Sequence, residues 1–270
     1  MHALSPRMKH KHTSLAVALV ALLTLNCGSG GAGGGGFNLM SLEEEWQLGQ
    51  QLARDIERQV RINRDPEINN YINQMGQRIV ARTAMANLPF QFHVVDNPEI
   101  NAFAIPGGHV YVNTGLIAAA DNASELAGVM AHEISHVTAR HSTEQMSRQY
   151  GLQILAGIAL GQNAGQLSEL AAQIVAGGAL ARFSRGAERE ADELGIQAMA
   201  AAGYNPHGMA SMFEELMEQR RSQPGRVEKF FATHPDIEER IRDSRKRADQ
   251  IGNNGITDEP QFQSIRRRVS

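Results

Sequence analysis

Two histidines and a glutamate form the part of the sequence best suited to chemistry. His132, Glu133 and His136 belong to the pattern HEISH, in a stretch whose apolar residues recur at helical spacing. Residues four apart on an α-helix differ by about 40° around its axis, so both imidazoles can reach one tetrahedral ion. Glu133 lies beside them, where it could take a proton from a water on that ion. The pattern therefore predicts a catalytic zinc site.

Such a site needs a third protein ligand and leaves its fourth position to water. His141, five residues past His136, is expected near the opposite side of the helix as a surface or capping residue. Glu188 and Asp192 lie four apart on another predicted helix, so one could bind the ion while the other lies in its surroundings or near the reacting bond. Glu190, pointing about 200° away from Glu188, is the competing ligand.

Four segments carry a resemblance to the HtpX and type I CAAX prenyl endopeptidase family of zinc metallopeptidases, in particular its soluble periplasmic branch. They are NAFAIPGGHVYVNTGLI from Asn101, HEISHVTARH from His132, SRGAEREADELG from Ser184 and THPDIEERI from Thr233. The resemblance implies that Glu188 is the third zinc ligand and Asp192 a proton donor. The chain departs from membrane-bound members, which carry spanning helices, and from periplasmic members with appended helical repeats.

The expected chemistry is hydrolysis of a peptide bond with one Zn²⁺ per chain. The two HEISH histidines and Glu188 would hold the ion, and Glu133 would activate its water and pass the proton to the leaving amine. The developing oxyanion needs a second donor, for which a protonated Asp192 or His234 could serve. His234 could instead occupy the fourth zinc position and silence the resting enzyme.

The periodicity of apolar residues predicts a mainly helical α+β fold with a small sheet beside the HExxH helix. The family resemblance implies that this fold is a zincin-like metallopeptidase domain. Residues 90–96 read as a strand, and the segments 101–105 and 109–113 as a hairpin that offers an edge strand to an extended polypeptide substrate. Residues 153–178 predict a helical hairpin. The other helices are expected from Ser41 to about Arg61, after Asp65 and Pro66, after Asn122, from about Arg185 to Gly203, through Met209 and Phe213, and finally after Pro235.

The first residues have the character of an export signal. Arg7, Lys9 and Lys11 precede an apolar run, and Cys27 follows it. We expect a signal peptide over 1–27 with a lipidation site at Cys27, a Gly-rich tether over 28–40 and a single domain over 41–270. The chain would then be periplasmic, with a lipid anchor to the outer membrane; an ordinary secretory signal is the alternative.

Composition limits the classes of molecule that the chain is expected to bind. The formal net charge is −3 and charges of both signs are dispersed, which argues against nucleic acid as a partner. Cys27 is the single cysteine, so an internal disulfide is excluded. The expected substrates are misfolded or misassembled envelope proteins. A zinc-stabilised periplasmic chaperone or assembly factor with incidental proteolysis is the alternative function.

Overall fold

A computed structural model describes residues 38, 40–159, 161–162, 164–177 and 182–270. The predicted signal peptide and Cys27 lie outside the described residues, as does nearly all of the predicted tether, and the division of the chain into these parts stays a prediction. The described helices are α1 Leu42–Glu57, α2 Pro66–Val80, α3 Thr114–Ala119, α4 Ala123–Thr138, α5 His141–Ala159, α6 Ala164–Val175, α7 Arg185–Ala201, α8 His207–Ser222, α9 Glu228–Thr233, α10 Ile237–Ile251 and α11 Pro260–Val269. The described strands are β1 Gln91–Val95, β2 Ala102–Ile105 and β3 His109–Asn113.

The three strands form one small sheet in the order β1-β3-β2. Strands β2 and β3 are the antiparallel arms of the predicted hairpin, and β1 pairs with β3 in parallel. Gly107 and Gly108 both adopt positive φ in the turn, a conformation that costs glycine little. Strand β2 is therefore an edge of the sheet, as the sequence predicts, and it lies beside α4.

Helix α4 is the centre of the fold. Its residues from Ala123 to Val137 are all buried, because α7 and α8 pack against it together with the sheet. Two glycines permit this close packing: a Cβ at Gly128 would lie 2.7 Å from Met209 Cα, and one at Gly195 would lie 3.1 Å from the backbone of α4. The mainly helical α+β architecture that the sequence predicts is thus confirmed.

Several boundaries differ from the sequence prediction. Helix α1 ends at Glu57 rather than near Arg61. Helix α5 begins at His141 but breaks at Gly151, whose φ of 73° is not helical, so its second part begins close to the predicted start of the helical hairpin at Gln153. The chain also continues into α11, which periodicity did not indicate; Phe262 is one of its two buried anchors. The sequence prediction also lacked the short helices α3 and α9, because a helix of one or two turns carries too little periodic signal. Within the described residues, no helix is long and apolar enough to cross a membrane.

Candidate metal centre

Helix α4 brings His132 and His136 together in the interior. Asn122 caps the helix by accepting a hydrogen bond from the backbone N–H of Glu125. Because the two histidines are four positions apart on the helix, their imidazoles lie on one face, and their Nε2 atoms lie 3.0 Å apart. Both side chains are fully buried, so their nitrogens need partners within the protein or a bound ion.

Helix α7 supplies a carboxylate to this pair. Its N-cap, Ser184, places Glu188 in the first turn, where the glutamate is buried. Glu188 Oε2 lies 3.6 Å from His132 Nε2, and Oε1 lies 3.4 Å from His136 Nε2. Glu190 points elsewhere, with its carboxylate 3.3 Å from His141 Nε2. The structure therefore brings Glu188, and not the competing Glu190, to the histidine pair.

His234 completes the cluster from the loop after α9. Its Nδ1 lies 3.2 Å from His132 Nε2 and 3.1 Å from Glu188 Oε1. Its Nε2 lies 3.3 Å from Glu133 Oε1. One donor atom from each of His132, His136, Glu188 and His234 lies within 4.8 Å of the others.

The spacing of these donors suits a tetrahedral metal ion. Zinc–nitrogen and zinc–oxygen bonds of about 2.0–2.1 Å place neighbouring ligand atoms about 3.3 Å apart. The separations of 3.0, 3.2, 3.4 and 3.6 Å among the four groups bracket that value. Three imidazoles and one carboxylate are also a donor set typical of zinc. The residues present therefore fit a zinc ion.

Glu133 lies on α4 between this cluster and strand β2. It is buried, and the contact between its Oε1 and His234 Nε2 does not have the geometry of a hydrogen bond. The backbone of Ala104, on β2, faces its carboxylate and acts to lower its pKa. Burial raises the pKa of Glu133 to about 7, with Glu188 acting in the same direction and His234 opposing it. A carboxylate with such a pKa can take up and release a proton near neutral pH.

Comparison with known proteins agrees with this geometry. The family model of peptidase family M48 matches residues 66–248. The chain belongs to peptidase family M48. It is 36% identical over 235 residues to the beta-barrel assembly-enhancing protease of Escherichia coli, covering 78% of this chain and 45% of that protein.

Two further relatives share the domain. The mitochondrial metalloendopeptidase OMA1 of Schizosaccharomyces pombe is 31% identical over 211 residues, covering 76% of this chain and 61% of that protein. The metalloprotease YcaL of Escherichia coli is 31% identical over 163 residues, covering 59% of this chain and 62% of that protein. This M48 chain spans just under half the length of its beta-barrel assembly-enhancing relatives. The predicted membership of a metallopeptidase family is confirmed.

Asp192 lies behind the cluster of this M48 domain, and an arginine that the sequence analysis missed holds it there. Asp192 Oδ1 lies 2.8 Å from His132 Nδ1. Arg240, on α10, donates from Nε and Nη2 to the two oxygens of Asp192, both at 2.7 Å, and its Nη1 pairs with Glu188 Oε2 at 2.5 Å. Burial opposes the charged form of Asp192, but Arg240 and His132 hold its pKa below the usual value.

His141 is the second residue whose place the sequence analysis misjudged. It is buried rather than at the surface, and its Nδ1 lies 2.9 Å from His136 Nδ1. The expectation failed because α4 ends at Thr138 and Arg140 adopts a left-handed conformation with φ of 60°, which turns the chain back. The ring therefore meets the ring nitrogen of His136 that faces away from the cluster. A third histidine shortly after HEISH was the available signal.

Proposed function

We propose that the chain is a zinc-dependent endopeptidase. The observation that carries the proposal is the convergence of four buried metal donors beside the buried carboxylate of Glu133. Membership of peptidase family M48 supports it. The named relatives are proteases, but each is longer than the part matched here, so the activity of this chain is our inference.

In this proposal His132, His136 and Glu188 hold one Zn²⁺ ion. When bound there, the ion would acidify a water molecule and polarise the substrate carbonyl. Glu133 takes the proton from the attacking water and delivers it to the leaving amine. Burial raises the pKa of Glu133, whereas a dication at the cluster would lower it, so the ion favours the ionised form that takes up the first proton.

Asp192 has a different role here from the proton donor that the family resemblance implies. Its two oxygens accept hydrogen bonds from Arg240, and one of them lies 2.8 Å from His132 Nδ1. A carboxylate held in this way stays ionised and accepts the Nδ1 proton of a metal-binding histidine, which fixes the orientation of the ring. We therefore assign Asp192 to the orientation of His132.

His234 can act in two ways. With its Nδ1 among the other donors it completes a closed, four-coordinate site, which would keep the resting enzyme inactive. Turned away from the cluster, it could donate to the oxyanion instead.

The substrate would bind as an extended strand on the edge that β2 presents among the described strands. That strand lies beside the cluster, since its residue Ala104 contacts Glu133. Pairing through main-chain hydrogen bonds selects little for sequence. We therefore propose unfolded or misassembled envelope proteins as substrates. We also propose that the chain lies in the periplasm with a lipid anchor at Cys27.

Two substitutions and a metal analysis test this function. The purified mature chain should contain one zinc ion and digest casein, and a chelator should stop the digestion. Glu133→Gln should keep the zinc but lower cleavage by about 10²–10⁴-fold, the usual contribution of a general base. Glu188→Gln should lose the zinc, whereas Glu190→Gln, its control on the same helix, should retain it.

Unchanged cleavage by Glu133→Gln would refute the proposed base. Zinc retained at full affinity by Glu188→Gln would refute the ligand set. If the cellular phenotype survived the loss of cleavage in Glu133→Gln, the chaperone alternative would gain instead.

A further inference from the structure

The turn that follows the HEISH helix contains an arginine in an unfavourable backbone conformation. Among the described residues, Arg140 and Asp236 alone combine a side chain with positive φ, and φ of Arg140 is 60°. The N–H of Arg140 donates to the carbonyl of Val137 in α4, and its carbonyl accepts from the N–H of Glu144 in α5. Glycine is the usual residue at this place after a helix, because a Cβ disfavours the left-handed conformation. An arginine here indicates that contacts of its side chain hold the turn.

The contacts of this arginine come from the start of α1 and the residues before it. Arg140 Nε donates to Glu45 Oε1 at 2.8 Å, and Nη2 donates to the backbone carbonyl of Met40. Asn38 donates to the same Glu45 oxygen at 3.1 Å, and its side-chain oxygen accepts from the N–H of Met40 at 3.0 Å. Asn38, Met40 and Glu45 together form what we call the N-terminal clamp. Hydrogen bonds between a guanidinium and a carboxylate are stronger than those between neutral groups, so the clamp can hold Arg140 in place.

The turn in its place determines the position of His141. This residue follows Arg140 directly and is buried, with its Nδ1 2.9 Å from His136 Nδ1. Its Nε2 lies 3.3 Å from Glu190 Oε2. Any change of φ at Arg140 would rotate the chain that follows, so the ring of His141 would leave His136. The partner of the ring nitrogen that faces away from a metal orients a ligating histidine, so this contact bears on the metal centre.

Building on the proposed zinc site, we propose that Glu45 is a positioning residue of the metal centre. Through Arg140 it holds the turn after α4, and the turn holds His141 against His136. Glu45 precedes Arg140 by 95 residues, so the clamp connects the start of the described chain to a metal donor. Glu45 contacts no proposed ligand among the described residues, and it therefore acts on zinc binding and hydrolysis only through Arg140 and His141.

Zinc competition against a chromophoric chelator, with the purified full chain, tests this role. Glu45→Gln should lower zinc affinity about tenfold, as expected when the support of a ligating histidine is lost. The visible spectrum of the cobalt-loaded variant should also differ from that of the unmodified chain. Glu44→Ala is the matched control, because it removes the capping box of the same helix but none of the described contacts of Arg140. It should keep both properties, and an unchanged affinity and spectrum in Glu45→Gln would overturn the proposal.

Two substitutions of Arg140 separate positioning from a general loss of stability. Arg140→Ala loses the clamp and keeps a Cβ at positive φ, so it should lower zinc affinity about tenfold. Arg140→Gly also loses the clamp, but glycine adopts this conformation at little cost, so zinc affinity should stay close to that of the unmodified chain. Adding Glu45→Gln to Arg140→Gly should then change nothing further. Equal losses of affinity in the alanine and glycine variants would overturn the role of the turn.

Hydrogen exchange of the chelator-treated chain separates this inference from the hydrolytic function. The amides of residues 140–144 should exchange about tenfold faster in Glu45→Gln than in Glu44→Ala, because the turn opens more often without the clamp. Equal exchange at these amides would contradict the clamp. Faster exchange and weaker zinc binding in Glu45→Gln, together with no casein cleavage by the unmodified chain, would support the clamp and refute the endopeptidase.

Discussion

Replacing Gly195 by alanine should weaken metal binding without a direct change to any ligand. A Cβ at this position would lie 3.1 Å from the backbone carbonyl carbon of Ala131 and 3.1 Å from His132 N, in addition to 2.9 Å from Met209 Cε. The methionine methyl group can rotate away, but the backbone of α4 cannot. Helix α7 must therefore move outward, and Glu188, two turns earlier on the same face of α7, must move with it.

The size of the effect follows from these distances. Ordinary contact begins at 3.4 Å, so α7 must shift by about 0.3 Å, the difference between 3.4 and 3.1 Å. Overpacking of this kind costs about 1–3 kcal/mol, whereas alanine in place of glycine inside a helix returns about 1 kcal/mol. The net loss in unfolding free energy is thus about 0–2 kcal/mol. Displacement of a metal-site residue should lower zinc affinity about tenfold or more.

Gly128→Ala is the matched control. Its Cβ would lie 2.7 Å from Met209 Cα and 2.9 Å from Met209 N, so it displaces α8, which carries no proposed ligand. Urea unfolding of the chelator-treated chains should show a larger loss for Gly128→Ala than for Gly195→Ala. Zinc competition against a chromophoric chelator should show the reverse order. Equal zinc affinities in Gly195→Ala and the unmodified chain would refute the view that this contact positions Glu188.

Two further predictions concern histidines. His141→Ala should lower zinc affinity about 10–100-fold, because His136 Nδ1 loses its partner at 2.9 Å. The visible spectrum of a cobalt-substituted sample of this variant should also differ from that of the unmodified chain. An unchanged zinc affinity would exclude a positioning role for His141. Burial lowers the pKa of both His93 and His109 to about 4, so the unfolded chain binds more protons below pH 6.5. The unfolding free energy of the chelator-treated chain should therefore fall between pH 6.5 and 4, by up to about 2 kcal/mol per histidine at pH 5. Glutamine at both positions should flatten this part of the profile, and an equal slope would show that other groups cause it.

The parts of the site that sequence reasoning found are those that local geometry determines. His132, Glu133 and His136 belong to one helix, and four-residue spacing alone places the two imidazoles together. Glu188 lies on a different helix, so its choice over Glu190 depended on a family resemblance. The hairpin was predictable because Pro106 fixes its own φ and the two glycines that follow tolerate the positive φ that the turn requires.

The missed contacts depend on tertiary packing. Arg240 belongs to a strongly charged helix, and only the crossing of α10 with α7 shows that its guanidinium is buried against Asp192 and Glu188. His141 reaches His136 only because the chain reverses at Arg140. Neither feature leaves a periodic signal in the sequence, since each is a single polar residue directed inward.

The charges of the buried centre are suited to a divalent cation when the histidines are neutral, as metal ligands must be. Glu133, Glu188 and Asp192 contribute three carboxylates, and Arg240 contributes one guanidinium, all buried. With neutral histidines and all three acids ionised, the sum is −2, which is costly inside a protein. A dication at the four donors brings the sum to zero, whereas protonation of Glu133 alone leaves −1. The ion would therefore favour the ionised form of Glu133, which is the form that a general base requires.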